Sequence, residues 1–106
     1  MMISDAFRER GFSVIEAFNG DEAVDLLMTG KTVDLVFSDV RMPGSLDGLG
    51  LLEFVRRHAP ELPVILTSGH LEPQLALEQG ARHFLRKPYH IEAVLGLVAS
   101  ELAKSA

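Results

Sequence analysis

Val33-Asp34-Leu35-Val36-Phe37-Ser38-Asp39 is a mostly apolar run that reads as a buried strand and closes on a carboxylate. Two further runs end in the same manner. Val64-Ile65-Leu66-Thr67 closes on a hydroxyl, and His83-Phe84-Leu85-Arg86-Lys87 on an ammonium. In an open parallel sheet, ligands and chemistry gather outside the carboxyl ends of the strands. Singly, each residue has a plain structural reading. An Asp after a strand starts a turn or caps a helix, a Thr at a strand end is satisfied by backbone, and a Lys before Pro is solvated. Together, at the same end of three strands, they describe a site for a phosphoryl group carried on Asp39.

Outward from these runs, helices and strands alternate. Ile3, Ala6 and Phe7 fall at helical spacing within Met1–Arg10, and Gly11 is a natural stop. Phe12–Phe18 reads as a strand, with Glu16 pointing to an edge position. Asn19 caps a helix whose first turn carries Asp21 and Glu22, favoured by the helix dipole. Ala23, Val24, Leu27 and Met28 form its inner face, and Gly30 closes it. A helix over Leu49–His58 turns Leu51, Leu52 and Val55 inward. Pro73 opens a helix to Gln79, with Gly80 as its stop. Ile91, Val94, Leu95, Val98 and Leu102 make one stripe of a last helix. The order αβαβαβαβα at this spacing specifies an α/β fold, a parallel sheet of four strands with helices on both faces.

A chain of 106 residues forms one domain large enough for its own core. Hydrophobic residues make up 47%, with no low-complexity tract, which argues against disorder. The absence of cysteine excludes a disulfide framework and a thiolate metal site, and fits a reducing cytoplasm. A formal net charge of -5 argues against direct nucleic-acid binding, which needs clustered Lys and Arg. Arg56-Arg57-His58 is the densest basic spot and reads as the last turn of a helix. No apolar run reaches membrane-spanning length, and Met1-Met2-Ile3 meets Asp5 and Arg8 too soon for a signal peptide.

The chemistry follows from the residue types. A carboxylate such as Asp39 can attack phosphorus and form an acyl phosphate. The transferring group carries spread negative charge, so the site must supply cations and donors. Lys87 supplies a fixed charge and Thr67 a hydroxyl. Mg²⁺ would complete the neutralisation through hard oxygen ligands, but Asp39 is the one obvious side-chain ligand. His58, His70, His83 and His90 lack the spacing of a helical metal site, although His70 lies on the loop after Thr67. No Ser sits on a G-x-S-x-G elbow. Gly44, Gly48 and Gly50 match neither the dinucleotide nor the Walker spacing.

These segments resemble the receiver domain of two-component response regulators. Asp39-Val40-Arg41-Met42-Pro43-Gly44, followed by Asp47-Gly48, resembles the family's phosphorylation loop. Leu66-Thr67-Ser68-Gly69 resembles its switch-threonine segment, and Gly80-Ala81-Arg82-His83-Phe84-Leu85-Arg86-Lys87-Pro88 its Gly-Ala, aromatic and Lys-Pro signature. Asn19-Gly20-Asp21-Glu22-Ala23 resembles the start of its second helix. The resemblance runs from Ser4 to the C-terminus and implies a doubly wound, flavodoxin-like receiver fold over residues 1–106. It makes Asp39 the phosphoacceptor, Lys87 the phosphate-binding lysine, and Thr67 the hydroxyl that closes on the phosphate. Phe84 falls at the aromatic switch position, and the backbone carbonyl of Arg41 at a metal-ligand position. Mg²⁺ is the implied cofactor, and Lys87–Pro88 the peptide bond that is usually cis.

Two departures follow. The loop Gly44-Ser45-Leu46-Asp47-Gly48 is one residue longer than the commonest family form. The family's first strand, which lies between the second and third in the order 2-1-3-4-5, is absent together with the acidic pair at its end. Asp5 lies within the first helix and cannot replace that pair. A start assigned too far downstream accounts for this simply, and a degenerate receiver is the alternative. The expected resolution is direct pairing of Phe12–Phe18 with Val33–Phe37, giving four strands.

The functional expectation is a cytoplasmic, non-enzymatic signalling domain. Asp39 takes a phosphoryl group from a sensor histidine kinase or a histidine phosphotransfer protein, weakly assisted by Mg²⁺. Thr67 and Phe84 then move, and the face of the last two helices and the final strand changes its preference for an output protein or a second copy. With no output segment after Ala106, the chain would act as a relay, a phosphate sink or a protein switch. A non-phosphorylated binding module of the same fold is the alternative. A flavodoxin-like cofactor binder is the third reading, opposed by the absence of a Ser/Thr/Gly-rich phosphate loop.

Overall fold

The computed structural model describes residues 3–41, 44–69 and 73–104. In chain order these form α1 (Ile3–Glu9), α2 (Gly20–Met28), β1 (Val36–Asp39), α3 (Gly48–His58), β2 (Val64–Ser68), α4 (Pro73–Glu78), β3 (His83–Arg86) and α5 (Ile91–Lys104). β2 is the central strand of a parallel sheet, with β1 on one side and β3 on the other. The register sets Val36 beside Val64 and Asp39 beside Thr67. It also sets Ile65 beside His83 and Ser68 beside Arg86.

Successive side chains of a strand point to opposite faces, and β2 is buried along its whole length. Val64 and Leu66 enter a cluster with Leu51, Leu52 and Val55 of α3 and Ala76 of α4, onto which Ala23, Val24 and Leu27 of α2 pack. Ile65 enters the other cluster, with Phe7 of α1 and Val94, Leu95 and Val98 of α5. The sheet is therefore covered on both faces, as a parallel sheet must be.

The helix starts follow the capping chemistry of the sequence. Asn19 Oδ1 accepts the Glu22 N–H at 2.8 Å, and Glu22 Oε1 accepts the Phe18 N–H at 2.7 Å. Asp47 Oδ1 accepts the Gly50 N–H at 2.9 Å, so α3 begins one residue earlier than Leu49. Met28, expected on the inner face of α2, is 70% exposed because it sits in the last turn, beyond the packed Ala23, Val24 and Leu27.

The strand count is corrected by the structure. Residues 12–17 belong to no ladder, so the described sheet has three strands where four were expected. The segment is held at both ends away from β1. Phe12 donates its N–H to the Phe7 carbonyl at 3.1 Å and meets the Phe7 ring edge-on at 6.0 Å. The Arg8 guanidinium reaches both the Val14 carbonyl and Glu16 at 3.4 Å. At the far end the Gly20 backbone is pressed against the Leu46 carbonyl so closely that a Cβ would collide with it. Between this segment and β1 lies an open cavity of about 650 Å³ walled by Phe12, Val14, Leu35 and Phe37.

β3 is clamped to α5 by a buried carboxylate. Glu101 is 1% exposed. Its Oε2 accepts from Arg82 Nη1 at 2.9 Å, while His83 Nε2 lies 2.8 Å and Lys104 Nζ 3.4 Å from Oε1. Burial works against ionisation of this carboxyl. The His83 hydrogen bond, then the Arg82 and Lys104 charges, outweigh it and hold the group below its ordinary value of 4.5. Folding therefore favours the ionised form, and this contribution is complete above pH 4.5 and lost as pH falls through the folded value.

Two outcomes follow from this architecture. Glu101→Gln should lower stability at neutral pH by roughly 2 kcal/mol, given partners that keep access to solvent, and should flatten the acid limb of a plot of Tm against pH. A variant whose acid limb matches that of the parent chain would remove Glu101 from the clamp. In hydrogen exchange, amides of residues 12–17 should exchange much faster than those of Val64–Ser68. Equal protection would mean that the segment is paired.

Candidate functional site

Asp39, Thr67 and Lys87 meet because the two ladders run on past the strand ends. The Val40 N–H donates to the Thr67 carbonyl at 2.9 Å, and the Lys87 N–H donates to the Ser68 carbonyl at 3.1 Å. The pleat also puts them on one face. Phe37, Ile65 and Leu85 all belong to the cluster on the α1/α5 side, and Asp39, Thr67 and Lys87 each lie two residues further on. Lys87 Nζ stands 2.8 Å from Asp39 Oδ1, with both side chains about half-exposed. The Lys87–Pro88 bond is cis.

Thr67 is 0% exposed, and among the described residues its Oγ1 has no hydrogen-bond partner. A buried hydroxyl left unpaired costs stability, so the group is poised to bond to something brought to Asp39. The loop after Asp39 is pinned at its far end. Gly48 donates its N–H to the Val40 carbonyl at 2.7 Å. Any Cβ at Gly48 would run into the Asp39 carbonyl oxygen, so the start of α3 can lie against the site only with glycine there.

The other residues singled out from the sequence fall in different places. Phe84 is half-buried on the opposite face of the sheet, paired with Leu66 and packed against the α3/α4 cluster. Arg41 lines the cavity beside Asp39. Met42, Pro43 and His70 lie outside the described residues. His58 stacks on Phe54 with centroids 4.2 Å apart, and His83 serves Glu101. Tyr89 was not singled out, although it follows Lys87 by two positions. Its ring meets Phe37 edge-on at 6.2 Å, and it lines the cavity with Asp39 and Lys87. Burial raises the phenol above its ordinary 10.0, the Asp39 carboxylate adds to the rise, and Lys87 opposes it.

Among the described residues, no group of three His, Asp or Glu side chains gathers that could hold a metal ion. Among the described residues this site offers a divalent cation the Asp39 carboxylate, with Oδ1 already facing Lys87, which is short of the several oxygen ligands that Mg²⁺ takes.

Thr67→Val removes the hydroxyl and keeps the shape. It should leave stability unchanged or raise it by about 1 kcal/mol in urea unfolding, because no hydrogen bond is lost. A clear loss would show that Oγ1 is bonded in the folded chain.

The model of the response regulator receiver domain matches residues 1–99. The DNA-binding transcriptional regulator NtrC of Klebsiella pneumoniae is 38% identical over 100 residues, covering 92% of this chain and 21% of that protein. The nitrogen assimilation regulatory protein NtrX of Azorhizobium caulinodans is 32% identical over 98 residues, covering 89% and 21%. The chain thus spans about a fifth of the length of these curated relatives. The crystal structure of the receiver domain of NtrX from Brucella abortus superposes with a TM-score of 0.86 at 30% identity, covering 95% of this chain and 87% of that one. The receiver domain of the Francisella response regulator 1452 does so at 0.89 and 29%, covering 98% and 87%. No described helix is long and apolar enough to cross a membrane. With its parallel sheet, flavodoxin-like layering and family match, the chain belongs to the response regulator receiver domain family of two-component signalling.

Proposed function

We propose that the whole chain, residues 1–106, acts as one cytoplasmic receiver domain in which Asp39 accepts a phosphoryl group from a histidine kinase or a histidine phosphotransfer protein. The observation that carries this reading is the Asp39–Lys87 pair at 2.8 Å beside the buried Thr67 hydroxyl, which has no hydrogen-bond partner among the described residues. A carboxylate oxygen of Asp39 attacks phosphorus, the new O–P bond forms as the N–P bond to the donor imidazole breaks, and the imidazole leaves. The Lys87 ammonium offsets the charge on the phosphoryl oxygens. Thr67 Oγ1 gains an acceptor, which removes the cost of its unpaired hydroxyl.

The consequence reaches the other side of the sheet through β2 and β3. Thr67 follows Leu66, which is paired with Phe84, and Phe84 packs toward α4. Leu75 and Leu77 of α4 are exposed on that side. A shift of Thr67 toward the phosphoryl group would alter the packing of Phe84 and the surface offered by α4, β3 and α5 to an output protein or a second copy, which is switching without catalysis of a released product. Receiver domains of this family generally bind Mg²⁺ for phosphorylation. Among the described residues no group of metal-ligating side chains gathers at Asp39, which supports a second reading, a receiver-like binding module that is not phosphorylated.

Incubation of the full chain with acetyl phosphate and Mg²⁺, followed by intact-mass measurement, separates the two. Slow labelling is expected, lost entirely in Asp39→Asn and slowed on the order of 10²-fold in Lys87→Ala. Label retained in Asp39→Asn would assign another acceptor, and no label at all would favour the binding module.

A further inference from the structure

A phosphoryl group on Asp39 presents three non-bridging oxygens. Lys87, which already faces Asp39, and the buried Thr67 hydroxyl can serve two of them. The same cavity that opens beside Asp39 is lined by Tyr89. Phe37 and Asp39 share a face of β1, as residues two apart must, and the Tyr89 ring rests edge-on against Phe37 at 84°. The ring is thus anchored in the α1/α5 cluster on the face from which Asp39 projects. No hydrogen bond ties its hydroxyl to any described residue.

We propose that Tyr89 is a ligand of the phosphoryl group, its hydroxyl donating a hydrogen bond to a phosphoryl oxygen carried on Asp39. This rests on the reading of Asp39 as the phosphoacceptor and adds to it a third donor on the same cavity. The phenol suits the task. Burial, and then the Asp39 charge, push its ionisation upward, so it is protonated and able to donate throughout the neutral range. Phosphorylation adds negative charge and strong acceptor oxygens to Asp39, which favours the protonated phenol further.

The sequence provides an unusually clean test, because the chain has one tyrosine and no tryptophan. The ultraviolet tyrosinate signal of the full chain therefore reports Tyr89 alone. It should titrate at lower pH in Asp39→Asn, and at higher pH in the parent chain once beryllium fluoride or acetyl phosphate has been added with Mg²⁺. Tyr89→Phe keeps the ring on Phe37 and should keep the thermal midpoint. Its phospho-Asp39 half-life should be shorter, and its beryllium fluoride binding weaker, by roughly tenfold, the value of one hydrogen bond to a charged acceptor. Labelled chain with an unmoved tyrosinate titration, or a Tyr89→Phe half-life equal to that of the parent, overturns the assignment of Tyr89 and leaves the phosphoacceptor reading standing. No labelling of Asp39 in either chain overturns that reading and this inference with it.

Discussion

Because β2 is paired on both edges and buried on both faces, its pleat decides which side chains of the neighbouring strands share a layer. A one-residue slip against β1 would leave Asp39 beside an apolar position and turn Thr67 to the wrong neighbour. The registers of Asp39 with Thr67 and of Ser68 with Arg86 prevent this. They are fixed by the large apolar residues Ile65 and Leu66 on opposite faces, each fully buried and worth about 1.5–3 kcal/mol of burial. The polar site is thus positioned by apolar packing one and two residues upstream of it.

The ionic groups divide by exposure. The Asp39–Lys87 pair is half open to water, and pairs of this kind contribute little to stability. On the proposed phosphoacceptor reading, that weakness lets Lys87 leave a carboxylate for a phosphoryl oxygen at small cost. Glu101 is the opposite case. Its buried carboxylate is held by several donors, and breaking them would leave a charge without solvation. One cluster is built to exchange and the other to hold.

Much of this was legible in the residues themselves. The strand end at Asp39, the cap at Asn19 and the inward stripe of α5 follow local rules of period and capping, so they survive without knowledge of tertiary contacts. Phe12–Phe18 defeated the same rules. Its composition fits a strand, but a strand needs a neighbour, and the docking of α2 and the ties to α1 fix the segment too far from β1 to have one. Tyr89 and Glu101 escaped notice for a related reason. Their partners, Phe37, Asp39, Arg82 and His83, are distant in sequence or belong to other elements, and no local pattern marks them. The signal that was present and unused is arithmetic: Asp39, Thr67 and Lys87 each stand two residues beyond a large apolar residue, which assigns all three to one face.

Arg10 Nη2 stands 2.7 and 2.6 Å from the two carboxylate oxygens of Glu92, a tie between residues 82 positions apart. This exposed pair contributes little, and the packing of α1 on α5 with the Phe7–Phe37 contact secures the first helix, since no strand pairing follows α1 to hold it locally. Contacts of such separation carry the full entropy of closing the intervening chain, and they reward the chain only after the intervening elements are in place. The place of the first helix therefore depends on α5, the last element of the chain.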